Sequence, residues 1–276
     1  MKLIFIGSGS AFTVGSDNYH SNMILETPNK KRLLIDCGSD ARLALHDLNL
    51  SYEDVHSVYI SHLHADHCGG LEWFAFCTKY DPKIPKPRLY IHPDLESPLW
   101  QFLSVGLNPL NDDTIKLSTY FEVFLIQDNA FKWENQTIRI FPTIHIQLPL
   151  GLMPSFGLLM ELDGKNVMLT TDAQLIYEQL KPLYEHADII FQDCEIKADK
   201  SGVHAHYEDL KALDSDIKNK MWLYHYQPLP LPDAKADGFR GFVKKGQCFD
   251  FEKKDSTQRR RATENTEEEK RKRKRG

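Results

Sequence analysis

The sequence lacks any run of about 18 consecutive apolar residues, the length a helix needs to cross a bilayer. Its opening, Met1-Lys2-Leu3-Ile4-Phe5-Ile6-Gly7, is too short for the apolar core of an export signal and reads as a first strand. A soluble, non-exported protein of the cytoplasm is therefore expected, with no membrane partner. Cysteine is scarce and scattered: Cys37, Cys68, Cys77, Cys194 and Cys248 are odd in number and contain no Cys-x-x-Cys pair. That argues against a disulfide framework and against a thiolate zinc site. No internal repeat is evident, so a solenoid is not indicated. A dinucleotide loop is missing too. Gly7-Ser8-Gly9 follows a strand, but Ala11 or Phe12 stands where the third glycine of the fingerprint belongs, and no βαβ unit follows.

Basic charge is also short over most of the chain. The formal net charge is -5, yet residues 252–276 hold 11 Lys+Arg against 6 Asp+Glu, so residues 1–251 carry 23 against 33 and a balance of -10. Binding to nucleic acid depends on basic surface that displaces phosphate counterions, so the body is not expected to bind it broadly. The segment 252–276 ends Lys270-Arg271-Lys272-Arg273-Lys274-Arg275 and has almost no apolar residues. A disordered, solvated tail is expected there, with weak nucleic-acid attraction or nuclear targeting as the alternative.

What remains, residues 1–251 of a 276-residue chain with 41% hydrophobic content, suits one catalytic domain. Val58 to Ile60, Arg88 to Ile91, Thr137 to Phe141 and Asn166 to Leu169 are β-rich runs, each ended by polar or turn residues. Asp40 to Leu48, Ser51 to Val55 with a Ser-x-x-Asp cap, Tyr177 to His186 and Tyr207 to Asp216 read as helices. The order favours an α/β sandwich, two sheets inside and helices outside, over a regular βαβ repeat. Residues 95–130 hold aromatics such as Trp100 and Tyr120 among short turns without clear period. They are read as a lid or partner surface, with an ordinary surface insertion as the alternative.

Histidine is plentiful, at twelve residues, and four potential ligands crowd into His62-Leu63-His64-Ala65-Asp66-His67. The stretch follows an apolar strand and precedes Gly69-Gly70-Leu71, which can open a helix. Residues two apart on extended chain project to one side, so His62 and His64 can grip one ion while the turn redirects Asp66 and His67 to another. Imidazole with carboxylate suits zinc first, with manganese or iron behind it. Two ions about 3.5–4 Å apart would acidify a water and hold a phosphoryl oxygen. Gly7 to Ser10 is expected to form a tight turn beneath this loop, with backbone amides offered to phosphate.

This pattern resembles the signature of the metallo-β-lactamase superfamily, and the similarity runs through residues 1 to about 250. The resemblance implies an αββα sandwich and two divalent metal ions held by His62, His64, Asp66, His67, His145, Asp172 and His225. Within that set His145 completes the first metal's ligands, Asp172 is the bridging carboxylate and His225 completes the second, while Asp66 counts as catalytic as well. Asp193 and His204 resemble a pair of the tRNase Z branch, in which an acidic residue supports a histidine that protonates the leaving oxygen. Glu195, two residues on, is the alternative acid, and His206 is either a substrate-binding residue or exposed and inert.

Together with Gly7 to Ser10 and Gly202-Val203-His204-Ala205-His206-Tyr207, the motifs are most similar to those of anti-Pycsar proteins. That resemblance implies hydrolysis of cyclic nucleotides, cyclic CMP and cyclic UMP included and cyclic AMP and GMP with them, which erases an antiviral signal. It also implies homodimers in which an inserted segment, here 95–130, helps close the partner's site. The rival readings are a tRNase Z-like 3′ processing nuclease and a non-catalytic metal-binding protein tethered through its basic tail.

Overall fold

Each of the four apolar runs lies in a strand, and together the strands build two stacked sheets. The computed structural model describes residues 1–149 and 151–252, so the expected tail lies, from residue 253 onward, outside the described residues. The chain begins with β1 (Lys2–Phe5), β2 (Met23–Glu26), β3 (Arg32–Ile35), β4 (Ser57–Ile60), β5 (Arg88–Ile91) and β6 (Glu122–Leu125). It continues through β7 (Ala130–Trp133), β8 (Gln136–Thr143), a small hairpin of β9 (Gln147–Leu148) and β10 (Gly151–Leu152), β11 (Ser155–Leu162) and β12 (Lys165–Leu169). Last come β13 (Ile189–Asp193), β14 (Met221–Tyr224), β15 (Gly241–Phe242) and β16 (Cys248–Asp250).

Seven strands in the order β16-β1-β2-β3-β4-β5-β6 form one sheet, and seven in the order β15-β14-β13-β12-β11-β8-β7 form the other. Strands β3 to β6 run parallel, as do β12 to β15. Buried parallel strands need apolar side chains on both faces, which is why Ser57-Val58-Tyr59-Ile60 is buried at every position. Where the sheets meet, the Phe5 ring lies 5.1 Å from Phe191 and 5.5 Å from Tyr224, and Tyr59 stacks on Phe131. On the second sheet, the helices Tyr177–His186 and Tyr207–Lys211 bury Leu180, Tyr184 and Leu210 against Met168, Ile190 and Met221. The αββα sandwich expected from the sequence is the observed architecture.

Two local readings change. The stretch 95–130 is not aperiodic: Leu95, Leu99, Leu103 and Leu107 recur every fourth residue and are buried along one face of a helix over Pro93–Leu107. His92 caps it by accepting the Asp94 N–H, and burial of each leucine contributes roughly 1.5–3 kcal/mol. The same stretch then supplies edge strand β6, so it is built into the first sheet. The helix expected over Tyr207 to Asp216 stops at Lys211, because Asp214 leaves helical backbone at ψ 142° and starts a separate turn of helix, Ser215–Lys218.

The strand directions decide where chemistry can occur. Ile35, Ile60, Leu169, Asp193 and Tyr224 are the last residues of β3, β4, β12, β13 and β14. The polar residues that follow, or end, those strands gather on one rim.

Candidate metal centre

All seven expected ligands converge on that rim, in two groups that share Asp172. His62, His64, His145 and Asp172 form one group, and Asp66, His67, Asp172 and His225 the other. In the first, His64 Nδ1 lies 3.2 Å from both His62 Nε2 and His145 Nε2. Asp172 Oδ2 is 3.7 Å from His62 Nε2 and 3.6 Å from His145 Nε2. In the second, His67 Nε2 is 3.2 Å from Asp66 Oδ2 and 3.3 Å from Asp172 Oδ1, while His225 Nε2 is 3.4 and 3.3 Å from the same two oxygens. Each Asp172 oxygen thus faces a different group.

These separations fit metal ions. A tetrahedral site with bonds of about 2.0–2.1 Å sets its ligand atoms about 3.3 Å apart, close to the spacings observed. His67 Nε2 and Asp172 Oδ1 are buried and have no hydrogen-bond partner among the described residues. Polar atoms left in that state are costly unless a ligand engages them. Burial, with the neighbouring imidazoles, pushes the pKa values of His62, His64 and His145 down, so these rings keep free lone pairs. Burial opposes charge at the other side chains, and there the ion pairs win. His67 is driven well above the ordinary histidine range by Asp172, Asp66 and Asp36, and His225 up to about 10, chiefly by Asp172. Asp66 and Asp172 fall below the carboxylate range beside those histidines.

A second layer fixes the rings. Asp36 Oδ2 accepts from His67 Nδ1 at 2.7 Å, and the same carboxylate accepts the Ser61 N–H and hydroxyl. Ser61 Oγ is 3.0 Å from His62 Nδ1, and the Val203 carbonyl accepts from His145 Nδ1 at 2.8 Å. Held this way, each ring points its other nitrogen into the site. Asp36, Thr171 and His225 have φ of 62°, 53° and 62°, a left-handed conformation that costs side-chain-bearing residues energy. Gly38 is required beside them, since a Cβ there would meet the Asp66 carbonyl at 2.0 Å. Sequence reasoning missed Asp36 and Ser61, although Asp36 directly follows an apolar strand just as the ligand loops do.

Next to the two groups, His204 Nδ1 lies 2.9 Å from Asp193 Oδ2, and the His204 ring centroid lies 4.8 Å from that of His145 and 4.9 Å from that of His225. Burial opposes protonation of His204, but Asp193 outweighs it and raises the pKa. Of the two acids weighed from the sequence, the pairing falls to Asp193. Glu195 turns away, its Oε2 accepting the N–H and hydroxyl of Ser201 at 2.8 and 2.9 Å.

His206 corrects the sequence reading on both of its alternatives. It is buried, its Nε2 donates to the Lys197 carbonyl at 2.8 Å, and its Nδ1 accepts the Glu208 N–H at the start of the Tyr207–Lys211 helix. Both ring nitrogens are consumed inside the protein, which leaves neither for a substrate. The Gly7 to Ser10 amides are likewise taken, by Asn22, Asn18, Tyr19 and Tyr226, so they do not form a phosphate cradle. The glycine at position 7 serves close approach instead, as a Cβ there would meet the His20 carbonyl at 2.1 Å.

The profile of the family described as anti-Pycsar protein Apyc1 matches residues 1–249. The chain is 35% identical over 234 residues to an anti-Pycsar protein Apyc1 of Paenibacillus harenae, spanning 82% of this chain and 90% of the relative. Among solved structures it is similar to the metallo-β-lactamase fold protein YhfI of Bacillus subtilis, with TM-score 0.69, 20% identity and coverage of 90% and 98% of the two chains. Human tRNase Z, short form, is similar with TM-score 0.65, 17% identity and coverage of 92% and 100%.

Proposed function

Because the chain belongs to the anti-Pycsar protein Apyc1 family, we propose that it is a metal-dependent phosphodiesterase that opens cyclic nucleotides, cyclic CMP and cyclic UMP among them, to nucleoside monophosphates. The observation that carries the reading is the Asp193–His204 pair set against two ligand groups that share one carboxylate. His62, His64, His145 and Asp172 would hold one divalent ion, and Asp66, His67, Asp172 and His225 a second, with zinc the first expectation. When bound, such ions supply an acidified water and neutralise charge on the phosphoryl oxygens.

The chain's own groups do the rest. A cyclic phosphodiester releases a ribose alkoxide, a poor leaving group that needs a proton as its bond to phosphorus breaks. Asp193 accepts from His204 Nδ1, which fixes the ring and assigns proton delivery to Nε2. Burial opposes charge on this ring, but Asp193 outweighs it and raises the pKa, which favours the protonated form that a donor needs. A body whose residues 1–251 carry a balance of -10 suits a small phosphodiester better than a long RNA. A homodimer belongs to the same reading. The exposed Phe102 and Val105 on the Pro93–Leu107 helix, with Leu110 just beyond, offer an apolar strip for it.

Incubating the zinc- or manganese-loaded chain with cyclic CMP, UMP, AMP and GMP and with a precursor tRNA tests the reading. Monophosphate products from the cyclic nucleotides are expected. Trimmed tRNA with intact cyclic nucleotides would replace the proposal with tRNA processing, and inactivity toward all of them would leave a metal-binding protein.

A further inference from the structure

His204 rides on a loop, residues 196–205, that has no helix or strand of its own. The loop is pinched at its neck, where Glu195 and His206 form an isolated bridge and the Glu195 N–H donates to the Ala205 carbonyl. A segment of this kind is loose by default, and ordering each of its residues costs conformational entropy. The neck residues counter that. Glu195 is buried, and its carboxylate reaches along the loop to receive both the N–H and the hydroxyl of Ser201. The Ser201 hydroxyl in turn accepts the Val203 N–H at 3.3 Å. Val203 offers its carbonyl to His145 and is followed directly by His204.

We infer that Glu195 is a positioning residue for the proton donor: its carboxylate clamps Ser201 and thereby sets where His204 stands over the site. This rests on the phosphodiesterase reading and adds a part to it. The paired hydrogen bonds to one carboxylate oxygen are of the stronger kind, and they order the loop three residues before the donor. His206 acts in parallel from the other side of the neck through Lys197. The metal ligands touch the clamped loop only where the Val203 carbonyl receives His145 Nδ1, because the His145 backbone is tied from elsewhere. Its carbonyl accepts from Gln174 Nε2 at 2.8 Å, and the Gln174 N–H donates to the Ile144 carbonyl. Losing the clamp therefore removes the aim of the acid, and of the ion-binding groups it loosens only the Val203 contact to the His145 ring, whose backbone stays tied.

Such a role has a specific kinetic mark. An oxygen leaving group needs the proton from His204; the same nucleotide with sulfur in place of the departing bridging oxygen releases a thiolate, which leaves unprotonated. Glu195→Ala should lower kcat on cyclic CMP by about 10²-fold with KM within about threefold, and spare the sulfur analogue. Glu195→Gln keeps an acceptor oxygen and should recover most of the loss. Ser201→Ala, at an exposed position whose change leaves the core alone, should act in the same direction and more weakly.

The experiment measures kcat and KM for both substrates with the metal-loaded wild type and these three variants, alongside bound metal by mass spectrometry. Losses confined to the oxygen substrate at unchanged metal content establish the clamp. Equal losses on both substrates, no loss in any variant, or metal loss in proportion to activity overturn this inference alone. A wild type that opens neither substrate overturns the phosphodiesterase reading and the inference with it.

Discussion

Asp193 Oδ2 stands 2.9 Å from His204 Nδ1, while the other oxygen of the same buried carboxylate lies 3.5 Å from Nδ1 of His225. One carboxylate therefore bonds the proposed proton donor and faces a proposed metal ligand. It also accepts the Ala173 N–H, which locks it beside the loop of Asp172.

That arrangement sets a pH dependence. Asp193 raises the pKa of His204 against the pull of burial, so the donor stays protonated below that raised value and activity is lost as pH climbs through it. Asp193→Asn removes the negative charge, so the alkaline limb of the kcat profile should move to lower pH, with a rate loss of about 10²-fold at the alkaline end. A limb that stays in place in the variant would separate His204 from the leaving-group proton.

Asp172 and His64 should differ in metal content. His64 belongs to one ligand group, whereas Asp172 faces both. His64→Ala should lower the stoichiometry by about one ion and abolish turnover in a chain that keeps its circular dichroism, and Asp172→Ala should weaken both sites. Equal metal content in the two variants would contradict the shared carboxylate.

Asp36 tests the supporting layer. Asp36→Asn weakens the bond that orients His67 without removing a ligand, so metal affinity should drop by about 10–100-fold. Isothermal titration of the apo variant with zinc reads this directly, and an unchanged affinity would make Asp36 a packing residue only.

Much of this site is legible in the sequence for a physical reason. His62 to His67, Asp172, Asp193 and His225 sit at or just past the ends of apolar strands, where parallel pairing carries polar residues to one rim. Local pattern and a familiar order are enough to find them. His206 and Glu195 are different, because their partners, Lys197 and Ser201, are chosen by the path of a loop with no periodic signal. The Gly7 to Ser10 amides depart from the sequence expectation for the same cause: they are spent on Asn22, Asn18, Tyr19 and Tyr226, contacts made by folding. The helix over Pro93–Leu107 was hidden by Pro98 and by aromatic residues set between its four leucines. The hairpin of β9 and β10, which exposes Leu148 and Leu152 just after His145, was too short to register as strand.

Removing metal should destabilise the fold. Ligand that binds only the native state adds about 2.7 kcal/mol at a hundredfold excess over Kd, which for a chain of this size corresponds to roughly 5–10 °C in Tm. Chelation should lower Tm by that order in the wild type and by much less in Asp172→Ala. Calorimetry of the two proteins with and without chelator reads the difference, and equal shifts would place the stabilising ion elsewhere.

The most direct test of the account is chromatographic measurement of CMP formed from cyclic CMP by the metal-loaded chain, with Asp172→Ala run beside it. Steady CMP formation by the wild type and none by the variant is the predicted result. An intact cyclic nucleotide in the wild-type reaction, or equal CMP from both proteins, would contradict it.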